Sequence, residues 1–128
     1  MPAWTDYKEI AAARGALACE VFVVVSTPSQ PPEALQAVLP DHLAYIAGLE
    51  RSGALMLAGP MSDDTGEQMQ GSGMIVLRAA SMEEARELAA NDPMHATGAR
   101  SFTLRKWLIN EGRLTVSVGL STGERSLG

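Results

Sequence analysis

Residues 17–26, LACEVFVVVS, form the most β-branched run of the chain, with three consecutive valines at Val23–Val25. Branching at Cβ restricts χ1 and suits the pleated, packed surface of a sheet. A run this apolar, with so little polar alternation, predicts a buried strand at the centre of its sheet. Cys19 lies within it and reads as a small, buried structural residue. It is the only cysteine, so it has no partner within the chain for a disulfide.

Working toward the C-terminus, TPSQPP (27–32) breaks the strand, because proline fixes φ and removes a backbone donor. Pro31 or Pro32 suits the first turn of a helix, where the missing N–H is not needed. Apolar residues then recur at Leu35, Val38, Leu39, Leu43, Ile46 and Leu49, the spacing of an amphipathic helix. Pro40 interrupts this pattern and predicts a short helix before it and a main helix from about Pro40 to Arg51, ended by Ser52 and Gly53. Ala54–Ala58 reads as a short strand closed by a Gly59-Pro60 turn. Met61–Ser72 reads as a long polar connection. Gly73–Ala79 is the next strand, and Ser81 with Glu84 makes a capping box for a helix through Ala90 that buries Met82, Ala85, Leu88 and Ala89.

Ser101–Leu108 alternates as a strand does, and Arg113–Leu120 does so again, followed by a free tail, STGERSLG (121–128). At the other end, WTDYKEIAAAR (4–14) reads as a helix with Thr5 or Asp6 as its N-cap and Gly15 as its stop. The order after that helix is β-α-β-β-α-β, the pattern of an α+β, ferredoxin-like fold. We expect one domain over residues 1–128: an N-terminal helix (1–15), a core (about 16–109), and a C-terminal strand and tail (110–128). Helices on one face leave the other face of such a sheet bare, and strands such as EVFVVV make that face partly apolar. A second copy of the same sheet is the economical cover, so a homodimer is expected.

Composition narrows the function. A net charge of -5, with 10 basic residues scattered along the chain, gives no patch for a phosphate backbone, so nucleic acid is not an expected partner. No stretch approaches the ~18 apolar residues of a membrane span, and MPAWTDYKEI carries acids where a signal peptide is basic and then apolar. A soluble, cytoplasmic protein is expected. GSGMIV (71–76) lacks the lysine of a P-loop and the spacing of a dinucleotide fingerprint, and no serine sits in a G-x-S-x-G context. No cofactor is expected.

His42 is the residue that breaks the pattern. It occupies the apolar stripe of the main helix, three residues after Leu39 and four before Ile46. A core histidine satisfied by a backbone carbonyl and a functional imidazole turned inward both fit that placement. Asp92 follows the second helix, and Pro93 pushes it out of the α region. In a βαββαβ fold both helices lie on one sheet face, which brings the start of the first near the end of the second. If Asp92 meets His42, it fixes the imidazole tautomer and leaves one nitrogen for a ligand, the minimum equipment for moving a proton. His95 and Arg100 are candidate substrate-binding groups, Arg100 as an anion clamp. Arg105 and Lys106 read as solvent-facing strand charges, and Trp4 and Trp107 as core or interface aromatics. His42, Asp92 and His95 match no spacing of a known metal site, and no metal is expected.

HLAYIAGLERSGALMLAGPMSD (42–63) and GMIVLRAASMEEARELAANDPMHATGARSFTLRKW (73–107) together resemble the YciI-like (YCII-related) family: a helix-borne His, a G-x-L-x-x-A-G-P strand and turn, an S-x-E-E-A helix, then D-P. The match spans about Asp41 to Trp107. It implies a dimeric α+β barrel, in which two ferredoxin-like sheets pack face to face, and a pocket where His42 and Asp92 form the active-site pair. The family looks related to muconolactone isomerases, and its rare assigned activity is cofactor-independent breakdown of chlorinated aromatic catabolites. The chain departs from the family pattern in its N-terminal helix, in everything after Leu108, and at His95, where other members vary. Two functions are therefore expected as alternatives. One is a cofactor-independent lyase or isomerase acting on a small cyclic or aromatic carbonyl or enol compound; the other is a non-catalytic, small-ligand-binding or stress-related dimer.

Overall fold

The computed structural model describes all 128 residues, which fall into two compact units: Glu20–Trp107, and Met1–Cys19 together with Leu108–Gly128. The larger unit is built on a four-stranded sheet. Its elements are β1 (Cys19–Pro28), α2 (Pro32–Ser52), β2 (Leu55–Ser62), β3 (Met69–Leu77), α3 (Met82–Ala90), a single-turn helix α4 (Pro93–Ala96) and β4 (Arg100–Ile109), preceded in the chain by α1 (Trp4–Ala13). The strand order is β2-β3-β1-β4, so the valine-rich β1 is central, and the chain order is the expected βαββαβ. No helix is long and apolar enough to cross a membrane.

Strand register decides what faces the helices. Phe22 pairs with Leu77, Val24 with Ile75 and Ser26 with Gly73, and antiparallel partners lie on the same face. Phe22, Val24 and Leu77 join Leu55, Ala85 and Ala89 in the buried core, against which Ile46, Leu49, Phe102 and Leu104 pack. Full burial of a side chain such as Phe22 contributes about 1.5–3 kcal/mol, so this face dominates the unit's stability. Ser26 continues the same inward parity beyond the apolar core and is buried, at 4% exposure. Cys19 lies at the strand's first position, where it is exposed rather than buried as expected, although Val21 two residues on is buried.

The two predicted proline boundaries are not boundaries. Pro40 lies inside α2, which runs unbroken over 21 residues. The residue is exposed, as is Gln36, whose carbonyl loses its N–H partner but is left open to solvent. Gly59 and Pro60 do not end β2 either; they pair with Met74 and Gly73. β2 is an edge strand, where a residue without an N–H removes no ladder bond on its open side. β2 and β3 therefore extend further than expected, and the connection shrinks to residues 63–68. There the Asp63 side chain accepts hydrogen bonds from the Thr65 hydroxyl (2.6 Å) and backbone N–H (3.1 Å). The Thr65 hydroxyl is the main reason the Asp63 carboxyl titrates below its usual range.

Ser81 caps α3 as read, with the returning bond from Glu84 made one residue earlier, at Ala80. Ser81 accepts from the Glu84 N–H (3.1 Å) while the Glu84 carboxylate accepts from the Ala80 N–H (2.9 Å). Ala85 and Ala89 are buried, with Met82 and Leu88 half-buried beside them. Gly53 ends α2 in the left-handed region (φ 84°), as a C-terminal glycine does.

In the smaller unit, α1 starts at Trp4 with Ala3 as its N-cap and no side-chain cap, so neither Thr5 nor Asp6 plays that part. The expected strand over Arg113–Leu120 is reduced to β5 (Val116–Val118), and the expected free tail folds back as β6 (Arg125–Leu127) to pair with it. The reversal is closed by the Gly119 N–H donating to the Glu124 carbonyl and the Gly123 N–H donating to the Gly119 carbonyl, both at 2.8 Å.

An exposed interior proline costs a helix about 3 kcal/mol relative to alanine, part of it offset by the freedom proline removes from the unfolded chain. Pro40→Ala is therefore expected to raise stability by about 1–3 kcal/mol, read as a higher denaturant midpoint with an unchanged m-value.

Candidate active site

The apolar stripe of α2 divides along its length. Ile46 and Leu49 pack on the core, whereas Leu39 and Leu43 remain 41% and 56% exposed. Those two residues, with His42 and Ile46, form one wall of a cavity of about 400 Å³. Ala58 and Pro60 of β2, Met69, Met74 and Ile75 of β3, and Met94 of α4 supply further apolar lining. A bulge in β2 contributes to this wall: Leu55 pairs with Leu77, but Leu57 pairs with Val76, which returns Ala58 and Pro60 to the helix side of the sheet. The polar side chains lining the cavity are Ser26, His42, Ser72 and Arg100.

The structure brings His42 and Asp92 together. The His42 Nδ1 lies 2.8 Å from both Asp92 Oδ1 and Oδ2. A carboxylate only accepts, so Nδ1 carries the hydrogen and Nε2 keeps a free lone pair. His42 Nε2 has no protein partner, and the side chain is 22% exposed. Asp92 is 2% exposed. It sits as the N-cap of α4 in an extended conformation (φ -58°, ψ 126°), which Pro93 favours, and its Oδ1 also accepts from the Met94 N–H at 2.9 Å. A buried carboxylate is tolerated only when its charge is met by such donors.

Asp92 also acts at a distance. The Tyr45 phenol, one turn after His42, is held above its ordinary pKa, first by burial and then by the Asp92 charge, and its O–H donates to the Leu88 carbonyl at 2.7 Å. Burial pushes the Arg100 guanidinium down while Asp92 pulls it back up.

Arg100 is anchored on two sides. Nε donates to the Ser26 hydroxyl (2.8 Å), and Nη2 donates to the Ser26 carbonyl (3.1 Å) and the Gly71 carbonyl. Gly71 is in the left-handed region (φ 91°), and a Cβ there would stand 2.8 Å from Pro28 Cγ, so only glycine fits without a shift. His95 is one bond behind the cavity wall. Its Nδ1 lies 2.7 Å from the Ala89 carbonyl, its Nε2 lies 2.8 Å from the Ser26 hydroxyl, and its ring packs on Phe102 at 4.7 Å between centroids. Both ring nitrogens are thus occupied within the protein. No three His, Cys, Asp or Glu side chains converge as a metal-ligand set.

Ser26 and Tyr45 were not singled out in the sequence. Ser26 did carry a signal: a polar residue at the end of an apolar strand, in phase with Phe22 and Val24. Tyr45 carried none beyond lying one turn from His42.

Two outcomes follow from this geometry. Asp92→Asn is expected to convert His42 from the Nδ1–H toward the Nε2–H tautomer, read from imidazole ¹⁵N shifts, because an amide NH₂ turned toward Nδ1 needs an acceptor there. Tyr45 has its folded pKa raised, so its contribution to stability is present below the unfolded value of about 10 and is lost as pH rises through the folded value. Tyr45→Phe is expected to remove that alkaline loss and to cost about 1 kcal/mol at neutral pH, measured by denaturant unfolding at a series of pH values.

The YCII-related domain model matches residues 20–108. The chain is 33% identical over 70 residues to the uncharacterized protein YjpA of Bacillus subtilis (strain 168), a match covering 55% of this chain and 75% of that protein. It is also similar to the solved structure of 5-chloro-2-hydroxyhydroquinone dehydrochlorinase (TftG) from Burkholderia phenoliruptrix AC1100 in complex with 2,5-dihydroxybenzoquinone. That likeness has a TM-score of 0.49 and 22% identity, and covers 68% of this chain and 92% of that one. The family match over the whole βαββαβ unit, together with the YjpA relationship, places the chain in the YCII-related domain family.

Proposed function

We propose that the protein is a cofactor-independent lyase or isomerase that acts on a small cyclic or aromatic carbonyl or enol compound, with His42 as acid/base and Asp92 as its orienting partner. One observation carries this reading: an imidazole tied through Nδ1 to a buried carboxylate at 2.8 Å, with Nε2 unpartnered beside a largely apolar cavity of about 400 Å³. The volume suits a ligand of one or two rings, and the apolar walls favour a flat carbon skeleton.

In this reading Nε2 takes a proton from a carbon next to a carbonyl. The C–H electron pair moves into the ring as an enolate, and Asp92 stabilises the imidazolium that forms. In an isomerisation the same proton returns at another carbon. In an elimination the electron pair expels an anionic leaving group, and the proton passes from Nε2–H to solvent. Arg100 faces the same cavity and supplies positive charge for the developing oxyanion.

The proposal includes a homodimer, one domain per chain and a cytoplasmic setting. Leu57 (58% exposed) and Trp107 (43% exposed) lie on the sheet face away from the core helices, which supports a partner sheet there. A single exposed cysteine with no disulfide partner fits a reducing compartment.

A second reading, a ligand-binding dimer without catalysis, is favoured by one feature: the cavity lining holds one histidine and no carboxylate, thiol, phenol or lysine, so no second acid or base accompanies His42. The two separate in one experiment. Ring compounds bearing an acidic C–H or a leaving group are screened for turnover by ultraviolet absorbance, with His42→Ala in parallel. The enzyme reading expects His42→Ala to lose about 10²–10⁴-fold in kcat, the usual size of an acid/base contribution. A His42→Ala protein that turns over any substrate found at full rate sinks it. Ligands that bind without turnover, at equal affinity to both proteins, establish the binding reading.

A further inference from the structure

Arg100 reaches the cavity wall with its orientation fixed by three neighbours, and only one of these is a side chain. Nη2 is held by the Ser26 and Gly71 carbonyls, whose positions belong to β1 and β3. Nε is held by the Ser26 hydroxyl, whose hydrogen is free to rotate unless something else takes it. His95 takes it. Its Nδ1 stands 2.7 Å from the Ala89 carbonyl, which can only accept, so Nδ1 bears the hydrogen and Nε2 is left as an acceptor for the Ser26 O–H at 2.8 Å. Ser26 is 4% exposed, so its hydroxyl relies chiefly on protein partners. The guanidinium nitrogen left without a protein partner is Nη1.

We propose that Ser26 and His95 are positioning residues for Arg100. The directional chain from Arg100 Nε–H to Ser26 O–H to His95 Nε2, ended by His95 Nδ1–H on the Ala89 carbonyl, aims Nη1 at an anionic oxygen of a ligand in the cavity. His95 acts here as a fixed neutral acceptor and touches no ligand. A second proton on Nε2 would strand the buried Ser26 hydrogen and place a cation beside Arg100. The charged and titratable groups around this chain are Arg100 itself, the Asp92 carboxylate felt by Arg100, and His42 bonded to Asp92. The recognition part of this proposal rests on the ligand-binding reading of the cavity; the hydrogen-bond chain does not.

The test has two arms, so that these fail separately. In the first, ¹⁵N NMR of the ligand-free protein reads the His95 tautomer and the exchange rate of the Arg100 Nε–H. The expected result is an Nδ1–H tautomer and a slowly exchanging Nε–H. Ser26→Ala is expected to speed that exchange at least about tenfold, the loss of one charge-assisted hydrogen bond. Ser26→Thr, which keeps the hydroxyl, is expected to restore slow exchange. An Nε2–H tautomer, or exchange unaltered in a folded Ser26→Ala protein, overturns the chain. In the second arm, benzoate and its neutral counterpart benzamide are titrated by calorimetry. The wild type is expected to prefer benzoate to benzamide, and in Ser26→Ala that preference is expected to fall about tenfold. A Ser26→Ala protein that keeps the full preference overturns the positioning role. If the wild type binds neither probe, the anion-recognition part fails, and the first arm alone judges the chain.

Discussion

The carboxylate of Asp92 is the group around which the site is organised. At 2% exposure it has given up its water, and an ionised carboxylate in that position carries a desolvation penalty of several kcal/mol unless donors replace what water supplied. Two do so: the Met94 N–H at the start of α4 and the His42 Nδ1–H from α2. Each is delivered by a different helix, so the charge ties the end of the α3–α4 corner to the middle of α2. The cost of burying Asp92 is thereby turned into a constraint on where His42 sits and which of its nitrogens faces the cavity.

Other parts of the site follow from that placement. Tyr45, one turn from His42, keeps its phenolic hydrogen for the Leu88 carbonyl, partly because a second negative charge near Asp92 is unfavourable. Burial lowers the Arg100 pKa and the Asp92 charge opposes that shift, while the guanidinium remains the cation of the site. The cavity is thus a small apolar room with one neutral acceptor at His42 Nε2 and one cation at Arg100. This is the polarity that the proposed proton abstraction calls for.

Where local sequence signals and the fold disagreed, the location of the residue settled the outcome. Pro40 and the Gly59-Pro60 pair carry strong breaking tendencies, yet both lie inside continuous elements. At Pro40 the helix face is exposed, which leaves the orphaned Gln36 carbonyl open to solvent; at Pro60 the strand lies at the edge of the sheet. Cys19 shows the converse. The run it opens is apolar, but its terminal position in the strand leaves it exposed. The last residues look like a tail, yet they pair as β6 because glycines at 119 and 123 allow a tight reversal.

The sequence alone determined the βαββαβ order of the core, the central place of the valine-rich strand, the Ser81–Glu84 cap and the nearness of the two helix ends that carry His42 and Asp92. These rest on periodicity, capping chemistry and the chain geometry of a βαββαβ unit, all of which are local or topological. Only the tertiary structure decided the extent of β2 and β3, the bulge that turns Ala58 and Pro60 toward the cavity, and the partners of Ser26, His95 and Arg100. Those depend on strand register and on hydrogen bonds between residues some 70 positions apart, such as Ser26 with Arg100. Short-range pattern holds no record of such pairings. A hydrogen bond is a condition of distance and angle in space, and its directionality emerges only once the sheet has set both ends.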